Sequence, residues 1–442
     1  MVEPTLGAAL DRVRDSESTP PLWYALAWAV EQAGAPVEAA RGIGVGAGAL
    51  LAGLLVVYGG RILPLWAAGL AGLLVALGGQ LVLRGAELRA YELYALLALA
   101  FAWLLERAAE APRGGRLAAL AAVTAAGLLT HYFFLFVAAA GLAWLWTRPS
   151  LRPARPRVVA ATAAGLVPFL AWTPFLAQQV ENQRFSWIGD FSLLKAVAVY
   201  SAFVWNAGPL YVRDLVDVGR PEALARVGAF ALVAAGCAAA WRAGARGRLV
   251  ALLALGPVAL AALLWLAGEN LFTARNVLAS APFAAIAVAA LAAALPRAAG
   301  PVAGAALLAV VVAGLVREYR LAPPAYDRIA DELVELGWRP DAQLAVYGGA
   351  HELSYLGSAY AIRGPVSWYL PGRPRLVLYD SEPHPCERAF AVAPPGRGAR
   401  VFEGAEEART VDGLTVARVP CAEDLRRRVG RSAGFLFVPV DP

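Results

Sequence analysis

The sequence predicts a mainly α fold: a polytopic transmembrane helical bundle of about ten spans with a small exterior C-terminal α/β domain. Three observations predict it. Of 442 residues, 59% are hydrophobic and only 16% charged, with a mean hydropathy of +0.57. Soluble domains carry about 25% charged residues, so this polar minority cannot coat a globule of such length. Long apolar runs recur as far as Val316, separated by short Arg-bearing connectors, and beyond Val316 they stop. A disordered chain, a disulfide-stapled mini-protein and a nucleic-acid binder are all excluded. The net charge of +6 comes almost wholly from Arg, Lys195 being the single lysine, and much of that Arg sits where it sets membrane topology.

A helix crosses the hydrocarbon core with about 20 apolar residues. The expected spans are 38–59, 64–82, 90–106, 117–130, 132–147, 158–176, 224–241, 249–267, 277–294 and 301–316. Two shorter apolar stretches flanked by charge, 20–31 and 191–206, read as interfacial helices, with Trp23, Tyr24, Trp28 and Trp205 at headgroup depth.

Arginine orients the bundle. One set of connectors holds Arg61; Arg107, Arg113 and Arg116; Arg148, Arg152, Arg155 and Arg157; Arg242, Arg246 and Arg248; and Arg297. The opposite set is mixed in sign, from Arg84, Glu87, Arg89 and Glu92 to Glu269 and Arg275. The positive-inside rule assigns the first set to the cytoplasm. Three regions follow: an exterior N-terminal segment with its interfacial helix (1–37), a transmembrane domain (38–316) and an exterior domain (317–442). In the last, Tyr326–Leu336 is amphipathic and Ala422–Val429 helical, while Gln343–Tyr347, Arg375–Tyr379, Ala389–Ala393, Leu414–Val419 and Gly434–Val440 read as strands. Cys386 and Cys421 on that side either pair or remain two buried thiols.

Four polar clusters interrupt the apolar pattern. Asp15 and Glu17 precede Thr19-Pro20-Pro21-Leu22-Trp23-Tyr24, where Thr19 reads as a helix cap with Pro20 near the first turn. Arg84, Glu87, Arg89, Tyr91 and Glu92 crowd a tight exterior turn with more charge than topology requires. Glu87 and Arg89 could neutralise each other, which leaves Arg84, whose guanidinium fork suits a phosphate. His131 lies between apolar runs, where a lone His is more often a hydrogen-bonded core residue than a ligand. Arg275 leads into an apolar helix whose end it could simply anchor. Acid, Arg, His and Arg at exterior helix ends together describe a place for a lipid phosphate headgroup.

In that order the motifs bring a family into view. The chain resembles the GT-C superfamily of polytopic glycosyltransferases, of the family 39 type that includes bacterial protein O-mannosyltransferases and the lipid A aminoarabinose transferase. The resemblance rests on Pro20-Pro21-Leu22-Trp23-Tyr24 with Arg41 downstream, Glu87-Leu88-Arg89-Ala90-Tyr91, Thr130-His131-Tyr132-Phe133, and Arg275-Asn276 before a helix containing Pro282. It covers roughly residues 5–316 in order and spacing. It implies sugar transfer from a polyprenyl-phosphate donor to a glycolipid, cell-envelope glycan or protein acceptor on the outer face. Its partners would then be the polyprenyl-phosphate-linked sugar and the lipid bilayer, with no nucleic acid. The candidate catalytic residues are Asp15, Glu17 and Glu87; the candidate phosphate or sugar contacts are Arg84, Arg89, Tyr91, His131 and Arg275. No Asp, Glu or His spacing selects a metal, so the cofactor is left unassigned, with a divalent ion at Glu87 one option.

The family places an acidic base at the exterior end of a first transmembrane helix, before the Pro-Pro-Leu motif. Only nineteen residues precede Pro20 here, without such a helix. A start internal to a longer gene, a pseudoenzyme, and recruitment of Asp15 or Glu17 compete as explanations, and the first accounts for the leaderless exterior tail as well. A non-catalytic scaffold and a lipid-linked-sugar flippase are the alternatives from other classes, although a transporter would show internal repeats and mid-membrane charges. Translating the DNA upstream of Met1 in frame should reveal an apolar run ending in an acid; its absence would rule out the internal start.

Overall fold

The computed structural model describes residues 3–17, 19–85, 88–181, 193–204, 220–269, 271–320, 326–347, 366–367, 369–372, 374–378, 388–393, 402, 404–411, 414–421 and 434–440. Chain contacts divide it into two compact units, Met1–Gly208 with Val212–Glu318, and Pro209–Tyr211 with Tyr319–Pro442.

The first unit is helical. Its elements are α1 (Leu6–Ser16), α2 (Leu22–Gln32), α3 (Arg41–Gly59), α4 (Leu65–Ala76), α5 (Gly79–Gly85), α6 (Tyr91–Glu110), α7 (Gly114–Thr130), α8 (Phe134–Trp146), α9 (Arg155–Leu170), α10 (Thr173–Glu181), α11 (Leu193–Val204), α12 (Arg220–Arg242), α13 (Ala245–Leu266), α14 (Ala281–Ala293) and α15 (Ala299–Arg320). Among the described residues, α3, α13 and the Ala299–Val316 stretch of α15 are each long and apolar enough to cross a membrane. The α9–α10 pair qualifies as one span bent by 62°. Leu65–Ala76, Gly114–Thr130, Phe134–Trp146 and Leu278–Ala293 are shorter apolar helices. Val45, Leu65 and Val302 present 61%, 75% and 67% of their surface outward. Large apolar side chains exposed on membrane-length apolar helices are not left to water, and the protein is membrane-embedded.

Two expected spans are interrupted. The run 64–82 is two helices, because Gly78-Gly79 stops α4; a Cβ at Gly78 would come within 2.9 Å of the Leu74 carbonyl. The run 158–176 breaks after Leu170, four residues before Pro174. A proline ring clashes with the carbonyl four residues back and supplies no N–H, which favours a break at this point.

Polar groups gather at the ends of α6, whose 20 residues rise about 30 Å, the thickness of a hydrocarbon core. At its C-terminal end Glu106 is fully buried. Arg61 grips it with two hydrogen bonds of 3.1 Å, and Arg246 binds the same carboxylate while reaching Glu110 at 3.3 Å. Nearby, Arg116 donates to the Arg107 carbonyl at 3.1 Å, Arg248 to Thr147 at 3.0 Å and Arg155 to Leu145 at 3.2 Å. Of these five arginines from the Arg-rich connectors, Arg116, Arg155 and Arg248 close helix C-terminal carbonyls, while Arg61 and Arg246 hold the buried acid. Beyond any topological role they are built into the packing, two of them through a buried acid that the apolar pattern hid.

The α2 helix also departs from expectation. Trp23 and Tyr24 are buried against protein, and Trp23 Nε1 donates to the Leu88 carbonyl at 3.2 Å. Trp28 Nε1 donates to the Glu3 carbonyl at 3.0 Å, because α1 folds over α2 and supplies the partner a headgroup would have offered. Trp205 lies outside the described residues.

The second unit contains α16 (Tyr326–Glu335) and a sheet of β1 (Gln343–Tyr347), β2 (Arg375–Leu378), β3 (Ala389–Ala393), β4 (Glu407–Val411), β5 (Leu414–Val419) and β6 (Gly434–Val440). The strand order is β2-β6-β1-β3-β5-β4, with β1 and β3 parallel and the remaining pairs antiparallel. Alternation sorts its faces: Leu344, Val346, Phe390, Val392, Leu414 and Val416 pack with Ile329 and Leu333 of α16, while Ala345, Ala389, Ala391 and Ala417 form the reverse. The charged edge strand β4 had no sequence signal, since Glu407 and Arg409 break the apolar pattern. Arg409 ties it to α16 through Glu332 at 2.9 Å and Glu335 at 2.7 Å. Cys421 is disulfide-bonded, which decides against a thiol there; Cys386 and the helix expected at Ala422–Val429 lie outside the described residues.

Removing Glu106 leaves two buried-side guanidinium groups without their shared anion. Glu106→Ala should lower unfolding free energy by about 3–5 kcal/mol, measured by thermal unfolding in detergent, with Glu106→Gln falling between. A melting profile like that of the native chain would show that this knot does not fasten the bundle.

Candidate functional site

The opposite end of α6 holds the residues singled out by the sequence. Glu17 follows α1 in extended conformation, and its Oε2 accepts from Arg89 Nη1 at 2.6 Å and from Tyr24 Oη at 2.7 Å. Arg89 Nη1 also donates to Tyr24 Oη at 2.8 Å, and Thr19 Oγ1 lies 2.9 Å from the same oxygen. A phenol has one proton. Since Tyr24 gives it to Glu17, Thr19 must be the donor in its own pair. Burial first, and then Glu17, push the Tyr24 hydroxyl above its ordinary pKa, so it stays a protonated link between acid and base. Thr19 is therefore no helix cap: α2 begins at Leu22 behind Pro21, with no side-chain capping bond.

Tyr91 opens α6, and Arg275 Nη1 approaches its hydroxyl at a long 3.5 Å. One turn on, Tyr94 stacks on the His131 ring, with centroids 4.4 Å apart and planes 13° apart. Its hydroxyl donates to the Asn276 carbonyl at 3.1 Å, which brings the 271–280 segment to the same place. Asn276 secures that segment by donating from Nδ2 to the Leu271 carbonyl at 2.7 Å.

His131 sits in the short connection between α7 and α8. A Cβ at Gly127 would collide with the Phe134 ring, so glycine is what allows this turn to close. The Phe133 N–H donates to His131 Nδ1 at 3.3 Å. That bond makes Nδ1 the acceptor and places the imidazole proton on Nε2. Burial, with Arg275 adding to it, pushes the imidazole down to about 3, so the ring is a neutral donor at physiological pH.

Glu17, Arg89, Tyr91, His131 and Arg275 are thus brought to one end of the helical unit from four separated segments. Arg89 is 43% exposed beside Glu17, so this end is open to a ligand. Of the other expected residues, Asp15 lies in the last turn of α1 and Arg84 in the last turn of α5, but their side chains, and Glu87 entirely, are outside the described residues. Arg41 starts α3 and is exposed. Sequence reasoning missed Tyr24 and Tyr94 as site members, and named Glu92 in the charged turn without giving it a role. Tyr94 had a signal, its spacing of one helical turn from Tyr91. Glu92, 1% exposed, had a fainter one: α3 offers Gly44 and Gly48 against it, and a Cβ at Gly44 would come within 3.3 Å of its Oε2. Among the described residues no group of three or more His, Cys, Asp or Glu side chains is placed to hold a metal ion.

No protein-family model matches the chain, and no curated protein matches it either. Among solved structures it is similar to ArnT from Cupriavidus metallidurans, crystallised in the apo state. The identity is 14%, the match covers 95% of this chain and 94% of that one, and the TM-score is 0.40. What the present chain does chemically has to come from its own side chains.

The His131 environment has a signature in pH. The folded ring titrates near 3 and an unfolded His near 6.5, so between these values the unfolded state binds the extra proton. Stability from this residue is complete above about 6.5 and is lost as pH falls towards 3. Melting in detergent at pH 7.5, 5.5 and 4.5 should drop more steeply for the native chain than for His131→Phe; parallel slopes would count against a buried neutral imidazole.

Proposed function

We propose that the protein is a membrane glycosyltransferase of the GT-C kind, moving a sugar from a polyprenyl-phosphate donor to a glycolipid, cell-envelope glycan or protein acceptor on the outer face. The observation that carries this reading is the convergence of Arg89, Arg275, Tyr91, His131 and Glu17 at the bundle end opposite the arginine knot. A lipid phosphate needs cationic and neutral hydrogen-bond donors at headgroup depth, while its tail stays among apolar helices. That combination is present here.

The reaction asks three things of the site. An acceptor hydroxyl oxygen bonds to the anomeric carbon, the bond from that carbon to the phosphate oxygen breaks, and its electron pair leaves with the lipid phosphate. The hydroxyl proton passes to a carboxylate, help worth about 10²–10⁴ in rate. Arg89 and Arg275 would meet the charge growing on the phosphate, and neutral His131 Nε2–H would add a hydrogen bond without needing to ionise. Glu17 is a described carboxylate paired directly with Arg89.

One observation favours a second reading. Glu17 is already held by Arg89 and Tyr24, the arrangement of a structural ion pair as much as of a free base. A non-catalytic scaffold that binds the lipid-linked sugar would keep the same donors.

Purified protein mixed with radiolabelled polyprenyl-phosphate hexose and membrane acceptors separates the two. The transferase reading expects label in the acceptor and a loss of about 10²–10³ in rate for Arg89→Ala. Donor binding with no transfer would establish the scaffold, and transfer untouched by Arg89→Ala would place the site elsewhere.

A further inference from the structure

Tyr132 follows His131 in the chain, yet its ring meets α9 and α10 where His131 meets α6. Trp172, in the break between those helices, donates from Nε1 to Tyr132 Oη at 3.0 Å. Tyr132 Oη in turn donates to Gln179 Oε1 at 2.8 Å. The direction follows from the partner atoms, because an indole N–H can only donate and the amide oxygen Oε1 can only accept. The Gln179 amide is thereby oriented, its oxygen committed to Tyr132. Gln179 is 0% exposed, and its Nε2 has no hydrogen-bond partner among the described residues. A buried donor held in one orientation by two side chains, and left unmatched, calls for an acceptor.

The surroundings limit what that acceptor is. Trp172 and Phe175 stand edge to face with centroids 4.9 Å apart, and Tyr132 meets Phe169 edge-on at 5.9 Å. Arg14, a cation beside these rings, is stacked on the Phe175 ring at 4.0 Å and paired with Asp11 at 2.7 Å. Neutral amide, phenol and indole groups among aromatic rings suit an uncharged ligand that carries oxygen acceptors on a C–H framework. Phosphate does not fit that description. A sugar ring does.

We propose that Trp172, Tyr132 and Gln179 form a carbohydrate subsite, in which a sugar oxygen accepts from Gln179 Nε2 and the Trp172 ring lies against the sugar's C–H face. Its place in sugar transfer rests on the function proposed above, since Tyr132 adjoins His131; its existence as a subsite does not. The sugar belongs either to the donor or to the acceptor, and the same chemistry serves both.

Binding to the full chain in detergent distinguishes these, with polyprenyl-phosphate hexose, sugarless polyprenyl phosphate and a methyl hexoside as probes. Gln179→Leu removes the amide. Trp172→Phe keeps a ring but loses the indole donor that orients Tyr132, and so stands in if the first variant fails to fold. A drop of about 10-fold for the hexose-bearing lipid, with sugarless lipid unchanged, assigns the subsite to the donor. A drop confined to the methyl hexoside assigns it to the acceptor. A native chain that binds the methyl hexoside but neither lipid would overturn the transferase reading and keep the subsite. Unchanged binding of all probes by variants that melt like the native chain would overturn the subsite.

Discussion

A hydrocarbon slab offers no water to a charged side chain, and that constraint organises the helical unit. Charges are pushed to helix ends and must find partners inside the protein. The α6 helix shows the consequence most plainly. Its middle is apolar and buried, and both ends are polar, about 30 Å apart by helical rise. One end is fastened by Glu106 between Arg61 and Arg246; the other carries Tyr91 and Tyr94 into the candidate site. The stiffness of one uninterrupted helix therefore links a structural knot to the candidate site.

The two ends use the same side-chain types differently. At the knot the carboxylate is fully buried and shared by two guanidinium groups, so the acid itself is closed to a ligand. Around Glu17 and Arg89 the pair is partly exposed and runs through Tyr24, next to a neutral imidazole with a fixed tautomer. A partly exposed acid and neutral donors, more than charge, separate the candidate site from the fastening. The Trp172–Tyr132–Gln179 chain extends the same logic one residue along the α7–α8 turn, with a donor set suited to hydroxyl groups.

Helix breaks matter to both. The α9–α10 bend at Trp172 follows from Pro174, and it is what turns Gln179 back to meet Tyr132. The loop 271–280 is pinned by Asn276, so that Arg275 is delivered to Tyr91 from far along the chain. A straight α9 would move Gln179 away, and a loose 271–280 loop would release Arg275.

By itself the sequence determined the helical, membrane-embedded class, the change to an α/β fold after Val316, and five residues that come together: Glu17, Arg89, Tyr91, His131 and Arg275. Hydropathy reports solvent preference residue by residue, and polar groups stranded among apolar runs stand out in it. Tertiary structure alone decided partnership. That Glu106 is the buried hub for Arg61 and Arg246, that Thr19 serves Tyr24 in place of a helix, and that Trp23 and Tyr24 face protein depend on segments up to 140 residues apart. The orientation of Gln179 belongs here too, since it comes from a relay across the α9–α10 break. Such pairings arise from packing geometry, which a one-dimensional pattern does not contain.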